Sequence, residues 1–167
     1  VSGAADISAD LVCHGAYAAG FPSVGCRGFS VSQGCWYFEV TLHTAGCMQI
    51  GLVDCAFRGG ADNGEGVGDD AHSWAYDGWR LYTWHESCAE WGAKWAVGDT
   101  VGCAFDLDHG TIAFSLNGLW DEIGMGIAFR DVSFSNGLYP CASFNKNEKI
   151  QFNFGENTFK YGPPDAI

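Results

Sequence analysis

The sequence predicts an all-β protein, built as an antiparallel sandwich or barrel. Several short runs alternate apolar and polar residues with a period of two, which is the pattern of half-buried strands. Turn-forming residues separate these runs, and the chain carries 24 glycines. No segment has the apolar stripe that is typical of an amphipathic helix.

The predicted strands follow one another along the chain. In the run GCWYFEVTL, alternate residues from Trp36 to Leu42 share the face that we expect to be buried, and Glu39 lies on the opposite, polar face. Asp108-His109-Gly110 and Asn117-Gly118 suit tight antiparallel turns. The later strands are predicted to bury Val101, Cys103, Phe105 and Leu107; Ile112, Phe114 and Leu116; Leu138, Pro140, Ala142 and Phe144; and Ile150, Phe152 and Phe154.

The composition indicates one acidic globular domain. The chain has 167 residues, 47% of them hydrophobic, which is enough for a sizeable core. Its net charge of −12 repels a phosphate backbone, so we expect no nucleic-acid partner, and neutral or basic peptides are favoured. No apolar run reaches the roughly 18 residues of a membrane span, and the start of the chain lacks the regions of a signal peptide. We therefore expect an intracellular, cytoplasmic protein without a membrane partner.

The eight cysteines leave two interpretations open. An even number suggests disulfides in a small secreted protein. A chain of this length builds its own core, and free cysteine behaves as a small buried hydrophobe. The absence of a targeting segment favours reduced, structural cysteines over a disulfide framework.

Metal binding is the weaker interpretation of the cysteines and acidic residues, and no cofactor is predicted. No two cysteines are closer than eight positions, whereas structural zinc sites bring ligands in closely spaced pairs. Asp106, Asp108 and Gly110 resemble a fragment of a calcium loop, but position twelve is Asn117 where a glutamate would close the site. A hairpin turn is the better interpretation. An oxygen-rich calcium site in the acidic loop is the remaining alternative, formed by Asp54, Asp62, Glu65, Asp69 and Asp70.

The sequence carries no enzyme signature that we can identify. A nucleophile elbow, a Walker loop, a zinc-protease motif and a dinucleotide fingerprint are all missing. His72 and His85 flank an aromatic block and could act as acid–base groups, but such histidines are more often surface or satisfied polar residues.

The region from Ile50 to His85 is the first candidate for recognition. A short strand is followed by a long loop rich in glycine and aspartate, and then by a compact aromatic block. Loops of more than roughly 12 residues are uncommon in compact domains and usually carry function. Four of the seven tryptophans lie in or just after this block, where some must fill the core and others could anchor a peptide or a sugar.

Six motifs, taken together, resemble those of SPRY domains. They occur in the family's order from about Leu11 to Gly155: GCWYFEVTL, MQIGLVD, GVGDDAHSWAYDGWRLYTWH, WAVGDTVGCAFDLDHGTIAFSLNG, LYPCASF and IQFNFG. The third motif is most similar to that of RING-type and other large ubiquitin ligases, and more distantly to the ryanodine-receptor SPRY domains. The resemblance implies a bent antiparallel β-sandwich of the concanavalin-like jelly-roll type. It divides the chain into an N-terminal extension (1–10), the SPRY domain (11–157) and an exit segment (158–167).

The resemblance further implies a non-catalytic module, monomeric as an isolated domain, that binds a protein or peptide ligand. It implies substrate recognition within a ubiquitin ligase, with a lectin-like carbohydrate-binding domain as the alternative. The family binds through loops at one edge of the sandwich. One branch captures Asn-rich peptides with a Trp-Gly pair near the equivalent of Phe144-Asn145, which this chain lacks. Carried onto this sequence, the expected contact residues are His14, Tyr17, Phe21, Arg58, Asp62, Asp69, Asp70, Trp74, Tyr82, Asn145 and Lys146.

Overall fold

Short antiparallel strands build the fold, as the period-two pattern predicts. The computed structural model describes residues 3, 5–15 and 20–165. In this part of the chain there are two 3₁₀ turns, Arg27–Phe29 and Ala61–Asn63, and no α-helix. The strands are β1 (Asp6–Ile7), β2 (Val12–His14), β3 (Ser23–Gly25), β4 (Cys35–Leu42), β5 (Met48–Asp54), β6 (Ser73–Asp77), β7 (Tyr82–His85), β8 (Ser87–Glu90), β9 (Thr100–Asp106), β10 (Thr111–Leu116), β11 (Gly126–Phe129), β12 (Leu138–Phe144) and β13 (Lys149–Asn153).

The strands form two antiparallel sheets, which confirms the predicted sandwich. One sheet has seven strands in the order β1-β2-β13-β4-β9-β10-β11. The other has six strands in the order β3-β12-β5-β6-β7-β8. Apolar residues of both sheets form one buried cluster, which includes Phe38, Val40, Ile50, Phe114 and Phe144. This is the face-to-face packing of a β-sandwich.

Most of the residues predicted to face the core are buried, but β5, β6, β9, β10 and β12 are buried on both faces, so these five strands are not half-buried as predicted. Leu107 and Phe154, which the sequence places in the core, are only half-buried, and β4 needs a further correction. Phe38, Val40 and Leu42 are buried, whereas Trp36 on the same predicted face is 48% exposed. Its indole N–H donates to the carbonyl of Gln33 at 2.7 Å, so the ring lies beside the entry to the strand. The first two residues of β4 are exposed, and full burial begins at Phe38.

Glu39 differs most from the sequence prediction, because it lies on the expected polar face of β4 and yet is only 2% exposed. Its carboxylate accepts the N–H groups of Lys160, Tyr161 and Gly162 at 2.7, 2.8 and 3.0 Å, and the hydroxyl of Tyr37 at 2.8 Å. The segment predicted to leave the domain therefore packs against the outer face of the seven-stranded sheet.

The long loop between β5 and β6 covers the outer face of the six-stranded sheet and forms a second core. Phe57 and Val67 of the loop pack with Val53, Tyr139 and Cys141 of the strands. The loop backbone is fixed as well: the N–H of Val67 donates to Ser143 Oγ at 2.9 Å. These parts of the loop are thus part of the folded structure.

The turn at Asp106 confirms the hairpin interpretation over the calcium-loop one. Asp106 Oδ1 accepts the N–H groups of Asp108 and His109, and its Oδ2 pairs with the His109 ring at 2.6 Å. The turn joins β9 to β10, which pair over their full length. In the described ranges, no group of three or more His, Cys, Asp or Glu side chains is arranged to hold a metal ion. The described residues include no helix with the length and apolar character that crossing a bilayer requires.

All eight cysteines are free thiols in the structure. Burial raises the pKa of the Cys13 thiol to about 11 and that of Cys141 to about 12, so both remain protonated at neutral pH. Cys35 and Cys88 are exposed.

We expect thiol titration of the denatured, non-reduced protein to count close to eight free cysteines, because no part of the described fold depends on a bridge. The exposed Cys35 and Cys88 should react first in the native protein. Recovery of four thiols or fewer, with matching mass shifts, would overturn the reduced state.

Candidate functional site

A groove opens at one end of the six-stranded sheet, at the edge of the sandwich where β5 begins and β12 ends. Its volume is about 510 Å³, within the range of roughly 300–1,000 Å³ that is typical of ligand pockets. We call it the edge groove. Its described lining comes from separate parts of the chain: Gly20 and Phe21; Cys47 and Gln49; the long loop with Asp62, Asn63, Gly64 and Asp69; Arg80; and Asn145.

Phe21 forms an apolar wall of the edge groove. Its N–H donates to the carbonyl of Ala61 at 2.8 Å, which ties the N-terminal segment to the 3₁₀ turn of the long loop. Gly20, which precedes it, has a φ of +121°, and a Cβ there would lie 2.8 Å from the same carbonyl. Only glycine fits this backbone conformation and close approach, so the wall is a fixed feature of the fold.

Gln49 is a buried polar residue of the groove with an unsatisfied oxygen. It lies in β5 opposite Ser143 of β12 and is 1% exposed. Its Oε1 has no hydrogen-bond partner among the described residues. Leaving such a group unpaired costs about 1–3 kcal/mol, and groups of this kind in folded proteins require an explanation. One explanation is that a bound ligand donates a hydrogen bond to this oxygen.

Arg80 carries the positive charge of the groove and is held rigidly. Its Nε is paired with the carboxylate of Asp77, which is fully buried. Asp77 Oδ1 also accepts the backbone N–H groups of Trp79 and Arg80, each at 2.9 Å. The guanidinium lies 4.3 Å from the ring centroid of Trp84, a cation–π distance. Because the ion pair uses only Nε, the terminal amino groups remain as donors.

Asp62, Asp69 and Asn145 complete the polar lining. Asp69 Oδ2 accepts the N–H of Gly66 at 2.6 Å, and Asp62 is exposed on the 3₁₀ turn. The backbone N–H of Asn145 donates to the carbonyl of Cys47 at 3.1 Å, which joins the β12–β13 turn to the start of β5. The groove therefore combines two carboxylates, one guanidinium and amide groups, all on anchored backbone.

The structure brings together four of the residues that the sequence predicts as contacts, namely Phe21, Asp62, Asp69 and Asn145. Sequence reasoning missed Gln49 and Arg80. Arg80 lies inside the aromatic block that the sequence analysis singles out. The sequence did not show that its side chain would line the groove. Gln49 interrupts an apolar strand, and a polar residue at such a position was the available signal.

The other predicted contact residues lie elsewhere. Trp74 is 2% exposed in the core and stacks on His85 with 4.8 Å between ring centroids, so it does not reach the groove. Arg58 and Asp70 line a neighbouring cavity. Tyr82 is half-buried in β7, and His14 lines a shallow pocket with Lys149. Lys146 is exposed beside the groove, and Tyr17 lies outside the described residues.

The two candidate acid–base histidines are both engaged in structural contacts. The Nδ1 of His72 lies 3.0 Å from Asp54 Oδ2, and the Nδ1 of His85 lies 2.9 Å from the carbonyl of Ser73. Burial alone would raise the pKa of Asp54, but the N–H groups of Ser135 and Ala56, together with His72, lower it below its usual value. Neither histidine lines the edge groove.

Comparisons with known proteins agree with this architecture. The family model described as the SPRY domain matches residues 35–157. The E3 ubiquitin-protein ligase RKP of Arabidopsis thaliana is 36% identical over 140 residues, which cover 81% of this chain and 10% of that protein. The ATP-dependent RNA helicase DDX1 of Xenopus laevis is 29% identical over 145 residues, which cover 86% of this chain and 18% of that protein.

The chain spans less than a fifth of either relative, so the similarity concerns one module of two large proteins with different names. The family match covers the strands from β4 to β13, which include both sheets of the sandwich. On the family match, the identity to the ligase and the two-sheet fold, this chain belongs to the SPRY domain family.

Proposed function

We propose that this SPRY domain is a non-catalytic interaction module that binds a peptide segment of a partner protein in the edge groove. The observation that carries the proposal is the buried Oε1 of Gln49, which has no partner among the described residues, in the same groove as the terminal donors of Arg80. A peptide backbone offers one N–H donor and one C=O acceptor per residue, the two groups that these side chains lack.

The charges of the groove support a short, specific segment. Asp62 and Asp69 favour a basic or neutral peptide, and Arg80 fixes the position of one acceptor. The net charge of −12 acts in the same direction over a longer range. Nucleic acid is disfavoured by this field.

The similarity to a ubiquitin ligase supports a finer proposal, that the domain selects substrates for a ligase of which it is one part. The remainder of such a protein would supply the catalytic or adaptor function, and the edge groove would choose the target. An intracellular, cytoplasmic location and a monomeric isolated domain are predictions that belong to this proposal.

A carbohydrate ligand is the alternative from another class. A sugar that stacks on an aromatic side chain needs a ring that is exposed to solvent. Among the described residues that line the groove, the aromatic side chain is Phe21, which is 5% exposed. Screening the wild-type domain on a peptide array and a glycan array tests the choice. We expect retention of peptides, and selective retention of glycans would contradict the proposal.

We expect Gln49→Met to separate binding from stability. Methionine fills a similar volume without a polar atom, so removing the unpaired oxygen should leave the free energy of unfolding unchanged or raise it by up to about 1 kcal/mol. A peptide that donates to Oε1 should bind at least fivefold more weakly. Denaturant unfolding and calorimetric titration with an array-selected peptide measure both effects.

The control for this variant is Gln151→Met, a glutamine in β13 that lines no part of the edge groove. It should bind the peptide as the wild type does. If Gln49→Met retains full affinity for every selected peptide, Gln49 is not a contact of the site.

A further inference from the structure

Two arginines lie side by side at a second cavity on the outer face of the six-stranded sheet. The cavity has a volume of about 300 Å³, and its lining includes Arg27, Arg58, Phe57, Ser23 and Tyr139. We call it the arginine pocket. It is separate from the edge groove, since the two share no lining residue.

One carbonyl oxygen brings the two guanidinium groups together. Arg58 Nη1 donates to the carbonyls of Cys55 and Phe57, each at 3.0 Å, and Arg27 Nη2 donates to the same Cys55 carbonyl at 3.5 Å. Each guanidinium has five N–H donors in a planar fork, so most of the donors remain unused.

No ion pair within the described residues holds either guanidinium. Across the described ranges, the ion pairs involve His72, Arg80 and His109, and neither Arg27 nor Arg58 has a carboxylate within 4.0 Å. The chain has 20 acidic residues and 8 lysines and arginines. In such an acidic chain, most arginines are expected to have an acidic partner, and this pair has none within 4.0 Å among the described residues. Two like charges held close together repel each other, and an anion between them relieves the repulsion.

A phenol adds a neutral donor to the pocket. Tyr139 lines it, whereas the Ser23 hydroxyl, which also lines it, is already paired with Ser143 Oγ at 2.7 Å. Burial raises the pKa of the Tyr139 phenol, and Cys141 raises it further, while Arg27 lies close enough to lower it. The net direction is upward, so the hydroxyl keeps its proton at neutral pH and can donate. Gly25 makes room beside the ring, since a Cβ there would lie 3.0 Å from Tyr139 Cε2.

We propose that the arginine pocket binds a phosphoryl group carried by a side chain of a partner peptide. A phosphorylated side chain bears a charge of about −1.5 to −2 at pH 7 and has three strong acceptor oxygens. This matches two guanidinium forks and the Tyr139 hydroxyl better than a single carboxylate does. A polyanionic surface, nucleic acid or membrane, is disfavoured by the net charge of −12, whereas one phosphoryl group is a local ligand.

The choice of a peptide as the carrier rests on the proposed function. A third cavity borders both sites, because its lining includes Phe57 and Arg58 of the arginine pocket and Asp69 of the edge groove. A peptide segment in the edge groove can therefore continue over this surface and place a phosphorylated residue between Arg27 and Arg58.

The test is a nuclear magnetic resonance titration of the arginine side-chain N–H signals with N-acetyl-O-phosphoserine amide, and with N-acetylserine amide as the matched probe. We expect saturable shifts of the Arg27 and Arg58 signals with the phosphorylated probe alone, and an unshifted Arg80 signal. The double variant Arg27→Gln/Arg58→Gln should lose at least tenfold in affinity, whereas Arg130→Gln at an exposed site should bind normally. Tyr139→Phe, which keeps the ring, should weaken binding about threefold.

Two kinds of result would contradict the proposal, one at the phosphoryl site and one at the peptide carrier. Unsaturable or absent shifts in the folded wild type, or full binding by the folded double variant, would overturn the phosphoryl site. Tighter binding to phosphatidylserine vesicles or to a single-stranded oligonucleotide would overturn the peptide carrier. The two proposals have separate readouts: the probe is followed at Arg27 and Arg58, and the array-selected peptides are followed at the edge groove. A failure here leaves those peptides binding in the groove, and a failure of the proposed function leaves the probe shifts unchanged.

Discussion

We expect Phe38→Ala to lower the free energy of unfolding by about 3–5 kcal/mol, since it removes a buried ring from a core that can only partly collapse. Phe38 is 1% exposed in β4 and packs near the rings of Phe152 and Phe154, each at a centroid distance of 6.1 Å. Phe105 of β9, also buried, should show a loss of the same size. Denaturant unfolding measures both, and the losses are a large fraction of the total stability of a typical domain.

The matched control for this prediction is Trp36→Ala. Trp36 lies two residues before Phe38 and belongs to the same face by sequence period, but it is half-exposed. We expect a loss of less than about 1 kcal/mol from this larger truncation. Equal losses at Trp36 and Phe38, or an unchanged melting temperature for Phe105→Ala, would show that the strand register is wrong.

The second large effect is expected at Glu39. An amide at this position presents an NH₂ group to one of the three backbone N–H groups that the carboxylate now accepts. Glu39→Gln should therefore cost about 1–3 kcal/mol, the penalty for a buried donor left unpaired. Hydrogen exchange of the amides of Lys160, Tyr161 and Gly162 should accelerate, while Thr41→Ala on the same face should leave their exchange unchanged.

The loss at Glu39 should also depend on pH. Burial alone would raise the pKa of this carboxyl group, but the N–H groups of the C-terminal segment, together with Tyr37, lower it below the usual 4.5. Its stabilising effect is thus complete above pH 4.5 and is lost as the pH falls through the lowered folded-state pKa. The difference in melting temperature between wild type and Glu39→Gln should shrink below pH 4.5. A constant difference from pH 7 to pH 3 would contradict this origin.

Sequence periodicity could predict the core faces of the two sheets, but not which segments cover their outer faces. Phe38, Phe114 and Phe144 are buried as expected, because alternation reports which side of a strand is apolar. The burial of Glu39 could not be predicted, since a polar residue on the outer face of a strand is expected to contact solvent until the segment that covers it is known. The burial of Trp74 could not be predicted for a related reason, since an aromatic ring fits a core and a binding surface equally well.

The candidate site, like the fold, could be predicted only in part from the sequence. Family resemblance places recognition in the edge loops, and Phe21, Asp62, Asp69 and Asn145 meet there in the structure. The loops converge only in three dimensions, so neither Gln49 nor the pairing of Arg80 with Asp77 follows from neighbours along the chain. An unpaired buried oxygen can be recognised only once every other partner has been placed.

Photo-crosslinking with an array-selected peptide tests the location of binding most directly. A diazirine-bearing copy of the peptide is irradiated on the wild-type domain, and the attachment points are read by mass spectrometry. If the peptide lies in the edge groove, cross-links should fall at Phe21, Asn63 and Asn145 and should decrease at least tenfold when unmodified peptide competes. Competed cross-links concentrated at His109 in the β9–β10 turn, with none at the groove, would contradict the assignment of the binding site.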